Sequence, residues 1–266
     1  MPKKISKISG QKLLASASLA GTLLLTPAGQ SLKALPEKLP EQRLPLGLIT
    51  KAELEQLLKK LLKKSLPPTS RVLTNNEEQT LSDLIQSTLG LKAVAELNGN
   101  RLNHQIGLMG LEQYLKRFPG DNLSDRHFPQ AGLAPGKGAW GYFAPSKNLL
   151  TASLIQKEKY YLAVQTLYLP DWQARLGELY QWYQYRKVLV INPDNGSAVI
   201  AVIADAGPAK WTGKQFGGSP QVMFDLGFYP RRTKGKVIVL FVDDPDDQIP
   251  LGPVTQPLNL PQPQLI

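Results

Sequence analysis

The apolar and polar positions of the chain separate an amphipathic helical region from a series of apolar strands. In residues 50–64 (TKAELEQLLKKLLKK) leucines recur at intervals of three and four, which predicts a helix with one apolar side. Thr50 and Glu53 have the spacing of a capping box, and Pro67-Pro68 ends the helix. Residues 75–90 predict a second helix, which has an Asn cap, two glutamates in its first turn and a glycine as its stop.

The next segments alternate between turn signals and periodic apolar residues. Residues 91–106 predict a hairpin around an Asn-Gly turn, and residues 109–117 predict a short helix. Residues 158–170 are apolar and aromatic, which fits a strand or a buried helix. Residues 171–186 predict a helix with an aromatic stripe. Together, the helices expected before residue 120 and the hairpin between them make residues 50–120 a helical region with a hairpin.

Three short apolar runs predict strands in the second half of the chain. Val188–Ile191 and Ala198–Ile203 flank a loop that contains Asn-Gly, which predicts a hairpin, and Lys236–Val242 predicts a closing strand. A short helix is expected over Pro220–Leu226. The second run ends at Asp205-Ala206-Gly207-Pro208, so one carboxylate lies at a strand end beside a rigid turn. Such a carboxylate either forms the turn or belongs to a functional site.

This succession of strand, Asn-Gly hairpin, strand and Asp-x-Gly-Pro resembles the double-psi β-barrel of rare lipoprotein A, expansins and related murein-cleaving enzymes. The resemblance covers residues 140–254, with its core at 188–227. It implies an α+β fold, in which a helical N-terminal region is followed by a six-stranded double-psi-like β-barrel over residues 121–254. It also implies that Asp205 lines a polysaccharide groove and acts as the catalytic acid.

The match to this family is incomplete at one position that matters for chemistry. Gly213, Lys214 and Ser219 fit the pattern, but Gly217 stands where the family has a second aspartate. A hydrolase normally needs two carboxylates at a set separation. A lytic transglycosylase works with one, because the 6-hydroxyl of the sugar replaces water as the nucleophile. The resemblance therefore favours lysis over hydrolysis, with Asp205 made a proton donor by burial that raises its pKa.

A second resemblance is longer and names no activity. It rests on residues 102–121, 132–144 (GLAPGKGAWGYFA), 159–170 and 243–254, which are similar to an uncharacterised family of secreted bacterial proteins. It implies a shared fold only.

Aromatic residues in a Gly/Pro-rich segment are candidates for sugar binding. Residues 119–148 contain Trp140 and Tyr142, whose flat rings suit the apolar faces of sugars, or alternatively cover an open end of the barrel. Trp211 and Lys214 follow the Asp-x-Gly-Pro turn. Trp140, Tyr142, Trp211 and Lys214 are therefore the predicted substrate-binding residues.

Charge and composition exclude several function classes. The net charge is +10, but residues 1–64 carry 12 basic and 4 acidic side chains, while residues 65–266 carry 19 and 17. The nearly neutral body lacks the basic face that nucleic acid requires, so no nucleic-acid partner is expected. The chain has no cysteine and two histidines, and it contains no P-loop or His-Glu-x-x-His motif. No cofactor and no metal are predicted.

The first 29 residues indicate export to the cell envelope. Residues 1–29 combine four lysines, an uncharged apolar run and small residues, which predicts a cleaved signal peptide or an uncleaved N-terminal anchor. Residues 30–49 form a Pro-rich linker, and residues 255–266 an extended tail. The leucines and lysines within residues 1–64 offer contact with an anionic membrane surface, and the alternative is a helix docked on the core or on a second copy.

Two hypotheses of different classes follow from these observations. In the first, an exported envelope protein acts on peptidoglycan or another polysaccharide, as a lytic transglycosylase with Asp205 as its acid. In the second, the same groove belongs to a non-catalytic glycan-binding or envelope scaffold module. Replacement of Asp205 by Asn separates cleavage from binding.

Overall fold

A computed structural model of the chain describes residues 49–67 and 71–258. The signal or anchor expected over residues 1–29 lies outside them, as do nearly all of the linker and most of the tail. No helix in the described part of the chain is both long and apolar enough to cross a membrane.

The described residues form five α-helices and ten strands. The helices are α1 (Lys51–Ser65), α2 (Asn75–Leu89), α3 (Ala152–Lys159), α4 (Leu176–Tyr183) and α5 (Pro220–Asp225). The strands are β1 (Ala93–Val94), β2 (Glu96–Leu97), β3 (Asn100–Arg101), β4 (Ile106–Leu111), β5 (Tyr161–Val164), β6 (Lys187–Ile191), β7 (Ala198–Ala206), β8 (Phe216–Gly218), β9 (Lys234–Val242) and β10 (Gly252–Pro253).

Six strands close into a mixed barrel that is compatible with a double-psi barrel. Around the ring, β4 pairs with β8 in parallel, β8 with β5 antiparallel, and β5 with β7 in parallel. The ring continues with β7 to β6, β6 to β9 and β9 back to β4, all antiparallel. The predicted strands over 188–191, 198–203 and 236–242 all belong to this barrel, and α5 lies between the last two. The α+β fold predicted from the sequence is confirmed.

Three barrel strands are buried on both faces, which explains why their sequences read as unbroken apolar runs. One face of β6, β7 and β9 points into the barrel, where Val190, Ala201 and Val239 belong to a cluster with side chains from all six strands. The opposite face, which includes Leu189 and Ile200, packs against α1 and α2. The helical region is therefore the cover of one side of the barrel.

The capping boxes of α1 and α2 fix where these covering helices begin. The Thr50 hydroxyl accepts from the N–H of Glu53, as the sequence predicted. In α2 the cap is Thr74, paired with Glu77, whereas the sequence pattern pointed to an asparagine. The apolar side of α1 buries Leu54, Leu58 and Leu62 in the outer cluster. These three leucines therefore pack against the barrel, as is expected for a helix docked on the core of its own chain.

The barrel begins earlier in the chain than the sequence pattern indicated. The predicted helix over 109–117 is wrong: residues 106–111 form β4, which pairs along its length with β9. The boundary between helical region and barrel therefore lies before residue 106 and not at residue 121. The hairpin predicted over 91–106 is present as β2 and β3, joined at Asn98-Gly99.

Candidate active site

A bulge at the end of β7 determines where the carboxylate of Asp205 points. The pairing of β5 with β7 joins Leu162 to Ile203 and then Ala163 to Asp205, which leaves Ala204 as an extra residue. Under regular alternation Asp205 would share the inward face of Ile203. The extra residue instead sets Asp205 opposite Ala163, on the outer face of the barrel.

Asp205 ends a row of small residues that crosses four adjacent strands. Gly110 of β4 pairs with Gly217 of β8, Gly217 pairs with Ala163 of β5, and Ala163 pairs with Asp205 of β7. Residues paired in this way share one face of a sheet. We call Gly110, Gly217, Ala163 and Asp205 the four-strand row. Its first three members carry at most a methyl group and are buried, so side chains from other segments lie directly over the row.

The two oxygens of the Asp205 carboxylate have different surroundings. Oδ1 accepts hydrogen bonds from the N–H groups of Ala139, at 2.8 Å, and Ala206, at 2.9 Å. Within the described residues, Oδ2 makes no hydrogen bond and no basic side chain pairs with Asp205. Burial raises the pKa of Asp205, although the two N–H groups oppose that shift. The geometry therefore fixes the carboxyl group through one oxygen and leaves the other without a hydrogen-bond donor among the described residues.

The segment that donates to Asp205 belongs to a long loop over the barrel. This covering loop, residues 112–148, holds the Ala139 peptide in place from its other side as well. The Tyr180 hydroxyl donates to the Ala139 carbonyl at 3.0 Å, and the Trp140 indole N–H donates to the Tyr180 carbonyl at 2.7 Å. The Trp140 side chain is 8% exposed and packs in the barrel cluster. The Trp140 ring therefore covers the barrel core and anchors the loop, which is the alternative to sugar stacking.

The covering loop is itself held by buried ion pairs. Arg117 and Arg126 both bind Asp121, at 2.8 and 2.9 Å, and all three side chains are almost fully buried. Arg126 also pairs with Glu158 of α3. Because both ends of this network are charge-paired, it ties the loop that carries Ala139 to the body of the barrel.

A second carboxylate lies over the four-strand row. The Glu112 N–H, directly after β4, donates to the Gly218 carbonyl at 2.9 Å, and its side chain extends over Gly217. A Cβ atom at Gly217 would lie 2.5 Å from Glu112 Cγ and 2.7 Å from Cδ, too close for any real side chain. The absence of a side chain at Gly217 therefore makes the space that the Glu112 side chain occupies.

Lys214 pairs with Glu112 above the same row. Its Nζ lies 3.2 Å from Glu112 Oε1, and the two side chains are 16% and 29% exposed. A Cβ atom at Gly110 would lie 3.0 Å from the same Nζ, so the lysine stem crosses the row over a glycine. The sequence predicted Lys214 as a binding residue, and the structure brings it to the row with Asp205.

Asp205 and Glu112 are coupled electrostatically. Burial raises the pKa of Glu112; Lys214 opposes this shift, and the charge of Asp205 adds to it. Tyr161 lies fully buried near both, and its hydroxyl donates to the Gln113 carbonyl. Burial and the nearby carboxylates hold the pKa of Tyr161 well above its usual value, so it stays protonated. The charge of Asp205 therefore opposes the ionisation of Glu112.

Two of the predicted binding residues lie apart from this row. Trp211 is 89% exposed on the turn between β7 and β8, and Tyr142 is half-buried with Lys137 Nζ 5.2 Å from its ring. Within residues 49–67 and 71–258, no hydrogen bond, ion pair or ring contact joins either of them to Asp205. Their part in substrate binding stays a prediction.

A cleft of about 370 Å³ opens next to Lys214. Lys210 and Lys214 contribute to its wall with His104, Tyr168 and three side-chain amides, and no carboxylate is among its lining residues. Burial and the charge of Lys210 lower the pKa of His104, so the imidazole is neutral at neutral pH. The cleft offers two cations and amide groups beside the row.

Sequence reasoning missed Glu112, because it assigned residues 109–117 to a helix. The only local signal was a pair of glycines, Gly107 and Gly110, within an apolar segment, since glycine inside a strand marks close approach of another group. No cluster of side chains suited to holding a metal ion occurs among the residues that the structure describes.

Comparisons with family models and with curated proteins find no match to this chain.

Proposed function

We propose that this protein is an exported envelope enzyme that cleaves peptidoglycan or a related polysaccharide by lytic transglycosylation, with Asp205 as its acid. The proposal rests on the surroundings of the Asp205 carboxyl group. The side chain is held by two backbone N–H groups through one oxygen, and burial raises the pKa of the carboxyl group. A general acid must hold its proton near the operating pH and present it to a leaving group.

The support for a glycan substrate lies beside the row. The cleft of about 370 Å³ next to Lys214 is lined by two lysines and three side-chain amides. These donors and acceptors suit the hydroxyl groups of a sugar.

The proposal includes membership of the double-psi barrels of the rare lipoprotein A and expansin type. The closed six-stranded mixed barrel supports it, together with the position of Asp205-Ala206-Gly207-Pro208 at the end of β7. Ser219 adds a further match, because its hydroxyl caps α5 directly after β8. Export is part of the same proposal and rests on residues 1–29; N-terminal sequencing of the protein from its native host tests it.

The central experiment compares Asp205→Asn with the unchanged chain on peptidoglycan sacculi. The asparagine has nearly the same shape but no acidic proton, so release of soluble muropeptides should be abolished while binding to sacculi is retained. Asp225→Asn is the matched control, because Asp225 lies on α5 and accepts from Gln221. Anhydro-sugar ends among the products would identify lysis, and reducing ends would identify hydrolysis.

One observation favours a glycan-binding module without catalysis as the second candidate. The ring of Trp211 is 89% exposed, and an exposed aromatic face near a cleft with Lys210 and Lys214 is a binding feature that requires no acid. If the unchanged protein sediments with sacculi but releases nothing, this second function replaces the first. If it does neither, the envelope-glycan proposal is wrong.

A further inference from the structure

The position of Glu112 is fixed by three contacts with one distant segment, residues 214–218. Its backbone is fixed by the hydrogen bond to Gly218, its side chain occupies the space over Gly217, and its carboxylate is paired with Lys214. Each contact is more than a hundred residues away in sequence. The Glu112 carboxylate is thereby held on the same outer face as Asp205, over the four-strand row.

The surroundings of the two carboxylates differ in the way that separates an acid from a base. Lys214 Nζ, 3.2 Å from Glu112 Oε1, favours the ionised form of Glu112. Asp205 has no basic partner among the described residues, and its bonds come from neutral backbone groups. Two interacting carboxylates titrate as a pair, and of these two only Glu112 has a cation that stabilises its charge.

We propose that Glu112 is a second catalytic carboxylate, which accepts the proton of the attacking hydroxyl while Asp205 donates its proton to the leaving oxygen. This assignment rests on the proposed function of the site. It accounts for the loss of a carboxylate at Gly217, since the Glu112 side chain fills the space above that position from the neighbouring strand. It also gives Lys214 a function, which is to stabilise the charge of the base.

In the proposed step, one bond at the sugar C1 breaks and another forms. The bond between the sugar C1 and the glycosidic oxygen breaks, and that oxygen takes the proton of Asp205. The oxygen of the 6-hydroxyl of the same sugar forms a new bond to C1, and its proton passes to Glu112. The products are an anhydro-sugar end and a free hydroxyl end, and solvent returns the proton from Glu112 to Asp205.

The test measures muropeptide release by Glu112→Gln. The variant is expected to lose about 100-fold or more in rate, the range that general bases contribute. The control is Glu96→Gln, because Glu96 is also paired with a basic residue, Arg101, at 3.2 Å, but on the β2–β3 hairpin. Its rate should stay close to that of the unchanged protein. Full activity of Glu112→Gln would overturn the assignment.

A second variant gives a readout that a merely structural ion pair would not move. The charged and titratable groups around Glu112 are Lys214, Asp205 and Tyr161. Lys214 lowers the pKa of Glu112, so the acidic limb of the pH–rate profile of Lys214→Gln should move to higher pH, whatever rate this variant retains at its optimum. An unmoved limb contradicts a catalytic Glu112, whether or not Glu112→Gln folds well.

The same series separates the two proposals from each other. An inactive Asp205→Asn with a fully active Glu112→Gln overturns the role of Glu112 and leaves the proposed function in place. An unchanged protein that releases nothing overturns both. Loss of activity in both variants, with the shifted limb in Lys214→Gln, supports both.

Discussion

Gly217→Ala should destabilise the protein because of one side chain, that of Glu112. The added Cβ would lie 2.5 Å from Glu112 Cγ and 2.7 Å from Cδ, and closer still to Oε1. Glu112 must therefore leave its position and give up the ion pair with Lys214. All three crowded atoms belong to Glu112, so the cost should disappear when the Glu112 side chain is shortened to alanine.

The magnitude follows from opposing contributions. The lost ion pair is partly exposed and is worth about 1 kcal/mol at most, and crowding in a packed region adds about 1–3 kcal/mol. Replacing a strand glycine by alanine gains roughly 0.5–1 kcal/mol through backbone entropy. We expect Gly217→Ala to cost about 1–2 kcal/mol in the unchanged chain and to stabilise Glu112→Ala slightly. The coupling free energy is then about 2 kcal/mol.

Urea unfolding of the four proteins of this double-mutant cycle measures the coupling. The loss of a partner for Lys214 is common to both Glu112→Ala proteins and cancels. If Gly217→Ala changes the free energy of unfolding equally in both backgrounds, then Glu112 does not occupy the space over Gly217 and the geometry of the proposed base is wrong. In the muropeptide assay, Gly217→Ala should also lower the rate, because it displaces Glu112.

Two further predictions concern the cover of the barrel and the loop network. Leu58 is 1% exposed in the outer cluster, so Leu58→Ala should lower the free energy of unfolding in urea by about 2–5 kcal/mol. Leu57 is half-buried, so Leu57→Ala should cost clearly less. Equal costs would show that α1 does not dock as described. Burial raises the pKa of Glu158 from 4.5 to about 7 in spite of Arg126, so its contribution to stability is full below about pH 4.5 and is lost as the pH rises to about 7. Glu158→Gln should therefore reduce the fall in unfolding free energy across this interval by up to about 3 kcal/mol, and parallel pH curves for the two proteins would refute it.

The parts of the fold that follow from local pattern were predictable from the sequence. The leucine spacing and the Thr50–Glu53 box give α1, and the Asn-Gly loop between two apolar runs gives the β6–β7 hairpin. These elements form because signals a few residues apart agree with one another. The barrel strands β6, β7 and β9 could be found for the same reason, since burial on both faces makes them apolar throughout.

The strand β4 shows why the rest could not be predicted. Leu108, Leu111 and Leu115 have helical spacing, but the segment forms a strand because Leu108 and Gln215 exchange hydrogen bonds more than a hundred residues apart in sequence. Tertiary contacts of this kind override local periodicity. Glu112 was missed with the strand, because its position depends on what is absent at Gly217, which no local window contains.

Because of the bulge at Ala204, β7 has one residue more than a regular strand needs for Asp205 to point outward. Because Leu162 pairs with Ile203 and Ala163 with Asp205, a gene that lacked the codon for Ala204 would encode a regular strand in which the same aspartate still faces outward. The direction of the Asp205 carboxylate would therefore survive the loss of that one residue.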